Sequence, residues 1–154
     1  MVGAVRYTLE PELEVSSIDD ILLIKSLLID LESEFNKQHK AKGLTPRPLE
    51  DKLEHVLKNF LTVIIEDQYI LIVDRIESWF AEEVILQEQL LYRYAPGSAT
   101  IYDVVTVLED LKEKMGCDAI QVGTLACKTE TEHFALMKLY KKVGFEIQQL
   151  SLWR

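Results

Sequence analysis

The feature that most constrains the fold is a change of periodicity at residue 61. Before it, apolar residues recur every three or four positions. After it come three dense apolar runs, LTVIIED, YILIVDRI and VILQEQLLYRY. Alternating or continuous runs of this length, rich in β-branched residues, are strands rather than helices. The first two are joined across Asp67 and Gln68 and read as a hairpin. The third, residues 84–94, is longer and comes after a turn, ESWFAE, that carries Trp79 and Phe80. A meander of three strands in mid-chain needs layers to cover it, and the flanking segments supply them.

On the N-terminal side, AVRYTLE reads as a first strand. The segment IDDILLIKSLLIDLESEFNKQHKAKG places Ile21, Ile24, Leu28, Leu31 and Phe35 on one helical face, with Ser17 and Asp20 as a weak capping pair and Gly43 as the stop. A shorter helix with Leu49, Leu53, Val56, Leu57 and Phe60 comes after the turn-rich LTPRP. On the C-terminal side, the loop YAPGSA opens into a helix whose buried face is Ile101, Val104, Val105, Leu108, Leu111 and Met115. Thr100 and Asp103 have capping-box spacing, and Gly116 ends the helix. DAIQVGT is a short strand, TETEHFALMKLYKKVGF a helix begun by Thr129 or Thr131 and closed by Gly144, and FEIQQLSLW a last strand. The order is β-α-α-β-β-β-α-β-α-β. This is an α/β class with a mixed sheet, expected as a single domain over residues 1–154.

Several functions are disfavoured by composition. Cys117 and Cys127 have no metal-ligand spacing and His39, His55 and His133 are scattered, so neither a metal site nor a disulfide framework is expected. The formal net charge is -9, from 26 acidic and 17 basic residues, which argues against nucleic-acid binding and suits a cationic substrate. No run approaches the roughly 20 apolar residues of a membrane span. The start MVGAVRYTLE has neither the basic residues nor the apolar core of a signal peptide, so the expectation is a cytoplasmic protein.

The strand-loop-helix at YAPGSATIYDVV has the geometry with which helix N-termini grip phosphates. Together with LYKKVGFE, this order of elements resembles the GNAT superfamily of N-acetyltransferases. The local signature is Leu139, Tyr140, Lys141, Lys142, Val143, Gly144 and Phe145. SWFAEEVILQEQLLY and VGTLACKTETEHFALMKLYKKVGF also resemble the small acetyltransferases encoded by bacteriophages. The likeness covers about residues 60–150, and more weakly the N-terminal helices.

The resemblance implies a central sheet whose strands at residues 84–94 and 118–124 splay apart to admit acetyl-CoA, a co-substrate whose acetyl group passes to an amine on a small molecule or protein. It implies Tyr140 as general acid and Glu88 as base. Leu91, Tyr92, Arg93, Gly97, Ser98, Ala99 and Thr100 would hold the cofactor. From the residues alone, Glu88 either lines a cleft or is solvated between Gln87 and Gln89, and Tyr140 either reacts or packs under its helix. The loop keeps Gly97 and Ala99 of the family pattern but has Tyr94 at the position of a basic or amide residue. It is also shorter than in the phage relatives, with Arg93 able to compensate and Asp103 adding a negative charge.

Thr124, Cys127 and His133 are weaker candidates, as are Lys138, Lys141 and Lys142 for a distal phosphate. Trp79 and Phe80 read as an acceptor wall, a homo-oligomer contact or plain cover for the core. A second reading is a degenerate acetyltransferase fold kept as a binding or assembly module, such as a virion component.

Overall fold

The computed structural model describes residues 3–7, 13–15, 18–40, 47–123 and 129–147. In chain order the elements are β1 (Gly3–Tyr7), β2 (Leu13–Val15), α1 (Ile18–Lys40), α2 (Leu49–Asn59), β3 (Leu61–Ile65), β4 (Tyr69–Glu77), β5 (Val84–Arg93), α3 (Ile101–Lys114), β6 (Ala119–Gln121) and α4 (Glu130–Lys142). They form a mixed sheet ordered β2-β1-β3-β4-β5-β6. Pairing is parallel for β1 with β3 and β5 with β6, and antiparallel elsewhere.

The expected order needs one correction. A short strand, β2, doubles back on β1 through Val5–Val15 and Tyr7–Leu13. Three residues are too few to leave a periodic signal in the sequence. The expected closing strand FEIQQLSLW lies mostly outside the described residues, and residues 145–147 are not in a strand. Gly43, Thr124 and Cys127 also lie outside them.

Every residue of β3 is buried, which is why LTVII reads as an unbroken apolar run rather than an alternating one. Val63, Ile65, Leu71, Val73, Leu86 and Leu91 face α3 and α4, packing on Val104, Leu108, Leu111 and Tyr140. Ile64, Ile70, Ile72 and Leu90 face the other way, onto Ile24, Leu27, Leu28 and Leu31 of α1. Burying each such side chain contributes roughly 1.5–3 kcal/mol, so two helical layers hold the sheet from both sides. Among the described residues no helix is long and apolar enough to cross a membrane, and no cluster of side chains has the makings of a metal site.

Two irregularities, a bulge in β5 and a strained β3–β4 turn, break the regular sheet. Val73 pairs with Glu88 and Ile72 with Leu90, so Gln89 is an extra residue in β5, a β-bulge. The bulge reverses the alternation beyond it. Leu86 and Leu91 share the α3/α4 face, while Leu90 and Tyr92 turn to the α1/α2 face. A regular strand with unbroken alternation would put Leu86, Glu88, Leu90 and Tyr92 on one face, and the bulge separates them.

The β3–β4 turn has Glu66 and Asp67 in left-handed conformation, with φ of 51° and 53°. This is costly for residues with a Cβ, by about 1 kcal/mol or more each. Arg6 offsets the cost by pairing with both Asp67 and the buried Asp20, and Glu66 N–H donates to Tyr7 O at 3.1 Å.

Candidate active site

Glu88 is 8% exposed, in mid-strand between Gln87 and Gln89 and opposite the buried Val73 of β4. The solvated alternative left open by the sequence is therefore excluded. Its position comes from the sheet. β5 and β6 pair only at Ile85–Ala119, Leu86–Ile120 and Gln87–Gln121, and Glu88 is the first residue of β5 past the last pair. From Glu88 to Arg93, β5 has no strand neighbour on the β6 side among the described residues. Pairing between the two strands thus stops inside the segments where the resemblance implied that they splay.

Burial pushes the Glu88 carboxyl up to about 7 from an ordinary value of 4.5, because the charged form loses its hydration. Hydrogen bonds from Tyr140 and from the Gly123 backbone restrain the rise. The Tyr140 hydroxyl donates to Glu88 Oε2 at 2.7 Å, and both groups are buried. Tyr140 is the one buried residue of α4, and its ring meets Phe145 edge-on at 5.3 Å just past the helix-ending Gly144. Thr129 starts the helix by accepting from Glu132 N–H at 3.2 Å. Thr131, the other candidate cap, lies inside the first turn.

A cleft of about 620 Å³ opens where the end of β5, the start of α3 and the outer face of α4 converge. Leu91, Tyr92, Arg93 and Thr100 line it, together with Tyr69, Ile101, Tyr102, Glu132, Leu136 and Leu139, none of which the sequence marks as a site residue. Gly97, Ser98 and Ala99 do not line it. The first two are exposed in the adjoining loop, and Ala99 is buried.

Inside that loop, several donors are already engaged. Ala99 N–H donates to Gln68 Oε1 at 2.8 Å, and Thr100 N–H to Asp103 Oδ2 at 2.7 Å, the second being half of the expected capping box. Arg93 bonds two loop carbonyls, Gly97 O at 2.7 Å and Ala95 O at 3.3 Å, with its guanidinium over the Tyr69 ring. The N–H groups of Gly97, Ser98, Ile101 and Tyr102 have no partner among the described residues. They fit an anion, although with fewer donors than an unobstructed helix N-terminus would offer.

The remaining candidates stand apart. Trp79 and Phe80 are 93% and 71% exposed, stacked edge-to-face on the turn before β5, at the opposite end of that strand from the cleft. Lys138, Lys141 and Lys142 are on α4, and none lines the cleft. Tyr94 packs toward the α1/α2 layer. Gln68 is the residue that sequence reasoning misses. A glutamine in a hairpin turn carries no pattern that distinguishes it from any other polar turn residue.

No protein-family model matches the sequence, and no curated protein does. Solved structures do match. An acetyltransferase from an Arthrobacter species, itself an uncertain assignment, superposes with a TM-score of 0.60 at 13% identity, over 90% of this chain and 92% of that one. A probable acetyltransferase gives 0.55 at 10% identity, covering 90% and 93%. An aminoglycoside acetyltransferase from an uncultured soil metagenomic sample gives 0.54 at 18% identity, covering 89% and 92%. The α/β architecture, with its mixed sheet and parted central strands, is the acetyltransferase fold that the resemblance to the GNAT superfamily implied.

Proposed function

We propose that the chain is an acyl-CoA-dependent N-acetyltransferase that moves an acetyl group from acetyl-CoA to an amine by direct attack. The observation that carries the reading is the buried Glu88–Tyr140 pair, set where the pairing of β5 with β6 stops; neither residue lines the cleft, but Tyr140 packs in the same core layer as the cleft residues Leu91, Ile101 and Leu136. An attacking amine must be neutral, its ammonium proton having gone to water beforehand, and a carboxylate whose carboxyl is poised near 7 can accept the one further proton that the nitrogen sheds on attack at ordinary pH. The amine nitrogen bonds to the thioester carbonyl carbon, and Glu88 accepts the proton it sheds. As the C–S bond breaks, the Tyr140 hydroxyl protonates the departing sulfur. The proton on Glu88 then crosses the 2.7 Å hydrogen bond to the phenolate, and both groups return to their starting state.

Acetyl-CoA supplies the activated acyl group. The unpaired edge of β5 at Leu91 and Tyr92 suits the amides of its pantetheine arm, and Leu91, Ile101, Leu136 and Leu139 suit its apolar stretches. Gly97, Ser98 and the first turn of α3 with Thr100 suit its pyrophosphate, with Ala99 and Arg93 shaping the loop. For the acceptor, the net charge of -9 favours a cation. Two of the similar structures are aminoglycoside acetyltransferases, which supports an amine-bearing small molecule ahead of a protein amine.

One observation favours a second reading. With the Ala99 and Thr100 donors engaged internally, the fold could serve as a non-catalytic binding or assembly module, as in a virion. Titration calorimetry with acetyl-CoA separates the two. Binding with Kd below ~100 μM is expected, and its absence would sink the enzymatic reading in favour of the module.

A further inference from the structure

We infer that Gln68, on the β3–β4 hairpin, is the positioning residue of the loop at residues 94–100, and that Gly97 is a glycine because of Gln68. The function assigned to this contact rests on the acyl-CoA reading above; the contact itself does not.

Gln68 reaches the loop from both ends. Its carbonyl accepts from Tyr94 N–H at 2.9 Å and Ala95 N–H at 3.4 Å, and its side-chain Oε1 accepts from Ala99 N–H at 2.8 Å. Its own Nε2 is tied to Glu66 O at 3.1 Å, which fixes the orientation of the side-chain amide. Between those contacts lies Gly97, where a Cβ would fall 2.2–2.5 Å from Cδ, Oε1 and Nε2 of Gln68. No side chain fits there unless Gln68 leaves. Gly97 has no positive φ that would require glycine on its own account. Arg93 holds the Gly97 and Ala95 carbonyls from the cleft side, so the loop is gripped through its amides by one residue and through its carbonyls by another.

Ala99 is 1% exposed, and its N–H would be a buried, unsatisfied donor without Gln68. The two left-handed residues before Gln68 and their clamp by Arg6 therefore have a use. They aim this side chain at a loop about thirty residues away in the chain. A loop ordered before its ligand arrives loses less freedom on binding, so affinity for the phosphates should depend on Gln68 although Gln68 does not line the cleft.

Three measurements test this. The first needs no ligand: a double-mutant cycle of Gly97→Ala and Gln68→Ala followed by thermal unfolding. Gly97→Ala is expected to lower Tm by about 5 °C in the parent chain and by less than about half of that in the Gln68→Ala background. Equal losses in the two backgrounds overturn the contact. In the unaltered chain, hydrogen exchange at the Ala99 amide should be as slow as within α3, and free exchange there overturns it equally, whether or not the variants fold.

The third measurement is kinetic. Gln68→Ala should raise KM for acetyl-CoA roughly tenfold while kcat changes less than about twofold, because the chemistry of Glu88 and Tyr140 is untouched. An unchanged or lower KM overturns the positioning role and leaves the acetyltransferase reading standing. If the parent chain binds no acetyl-CoA, that reading falls, and the cycle and the exchange rate still decide the Gln68 contact.

Discussion

A carboxyl held out of water gives up its proton late, and at Glu88 this has two opposite consequences. For catalysis, activity should rise with pH through about 7, as Glu88 ionises and becomes able to accept the amine's proton. Glu88→Gln is expected to lower kcat by roughly 10²-fold or more and to abolish that rise, read from a pH–rate profile. For stability the sign reverses. The folded state holds the proton up to about 7 and the unfolded state releases it near 4.5. The folded protein therefore loses stability as pH climbs through that window, by on the order of 3 kcal/mol. Urea midpoints should fall from pH 5 to pH 8 in the parent and stay flatter in Glu88→Gln. Tyr140→Phe removes a bond that favours the charged carboxylate, so the kinetic inflection should move to higher pH as kcat falls. Glu88 and Tyr140 are legible in the sequence because a glutamate in an apolar strand and a tyrosine before Lys-Lys-Val-Gly-Phe are unusual where they stand. Gln68 is not, since its role comes from a contact across about thirty residues that no local pattern encodes.

The helices are the most legible elements, because caps and three-to-four spacing are local. Thr100 and Asp103 have the spacing of a capping box, and Asp103 Oδ2 does accept the Thr100 N–H. Gly116, at φ 65°, ends the same helix as expected. The strands are legible in kind and less so in detail. Gln89 looks like any strand residue, yet its insertion into β5 sends Leu90 and Tyr92 to the opposite face. Asp103 carries a conflict at this scale, since its charge suits the α3 dipole and opposes a phosphate beside it. Asp103→Asn keeps an oxygen for the Thr100 N–H and removes the charge. Acetyl-CoA should bind several-fold tighter to that variant by calorimetry, with a loss of helix stability of roughly 0.3–1 kcal/mol read from Tm.

At the scale of the molecule, the mixed α/β class is readable from the alternation of periodicities, while the pairing of β2 and the point where β5 stops pairing with β6 depend on tertiary contacts. The net charge of -9 spreads its effect over the whole surface. For a polycationic acceptor, kcat/KM should fall several-fold between low salt and about 0.3 M salt, and for a neutral-bodied monoamine far less, because only long-range attraction is screened. The half of β5 left without a strand neighbour among the described residues has one more consequence. A row of backbone donors and acceptors that suits a pantetheine arm suits equally the strand of another polypeptide, and natural sheets usually guard such edges with charge or bulges. Here the bulge at Gln89 and the charge of Arg93 bracket a bare stretch, Leu90–Leu91–Tyr92, that carries neither. Concentrated stocks kept without acetyl-CoA should scatter more light with time than stocks kept with it, which makes the co-substrate a guard against aggregation as well as a reactant.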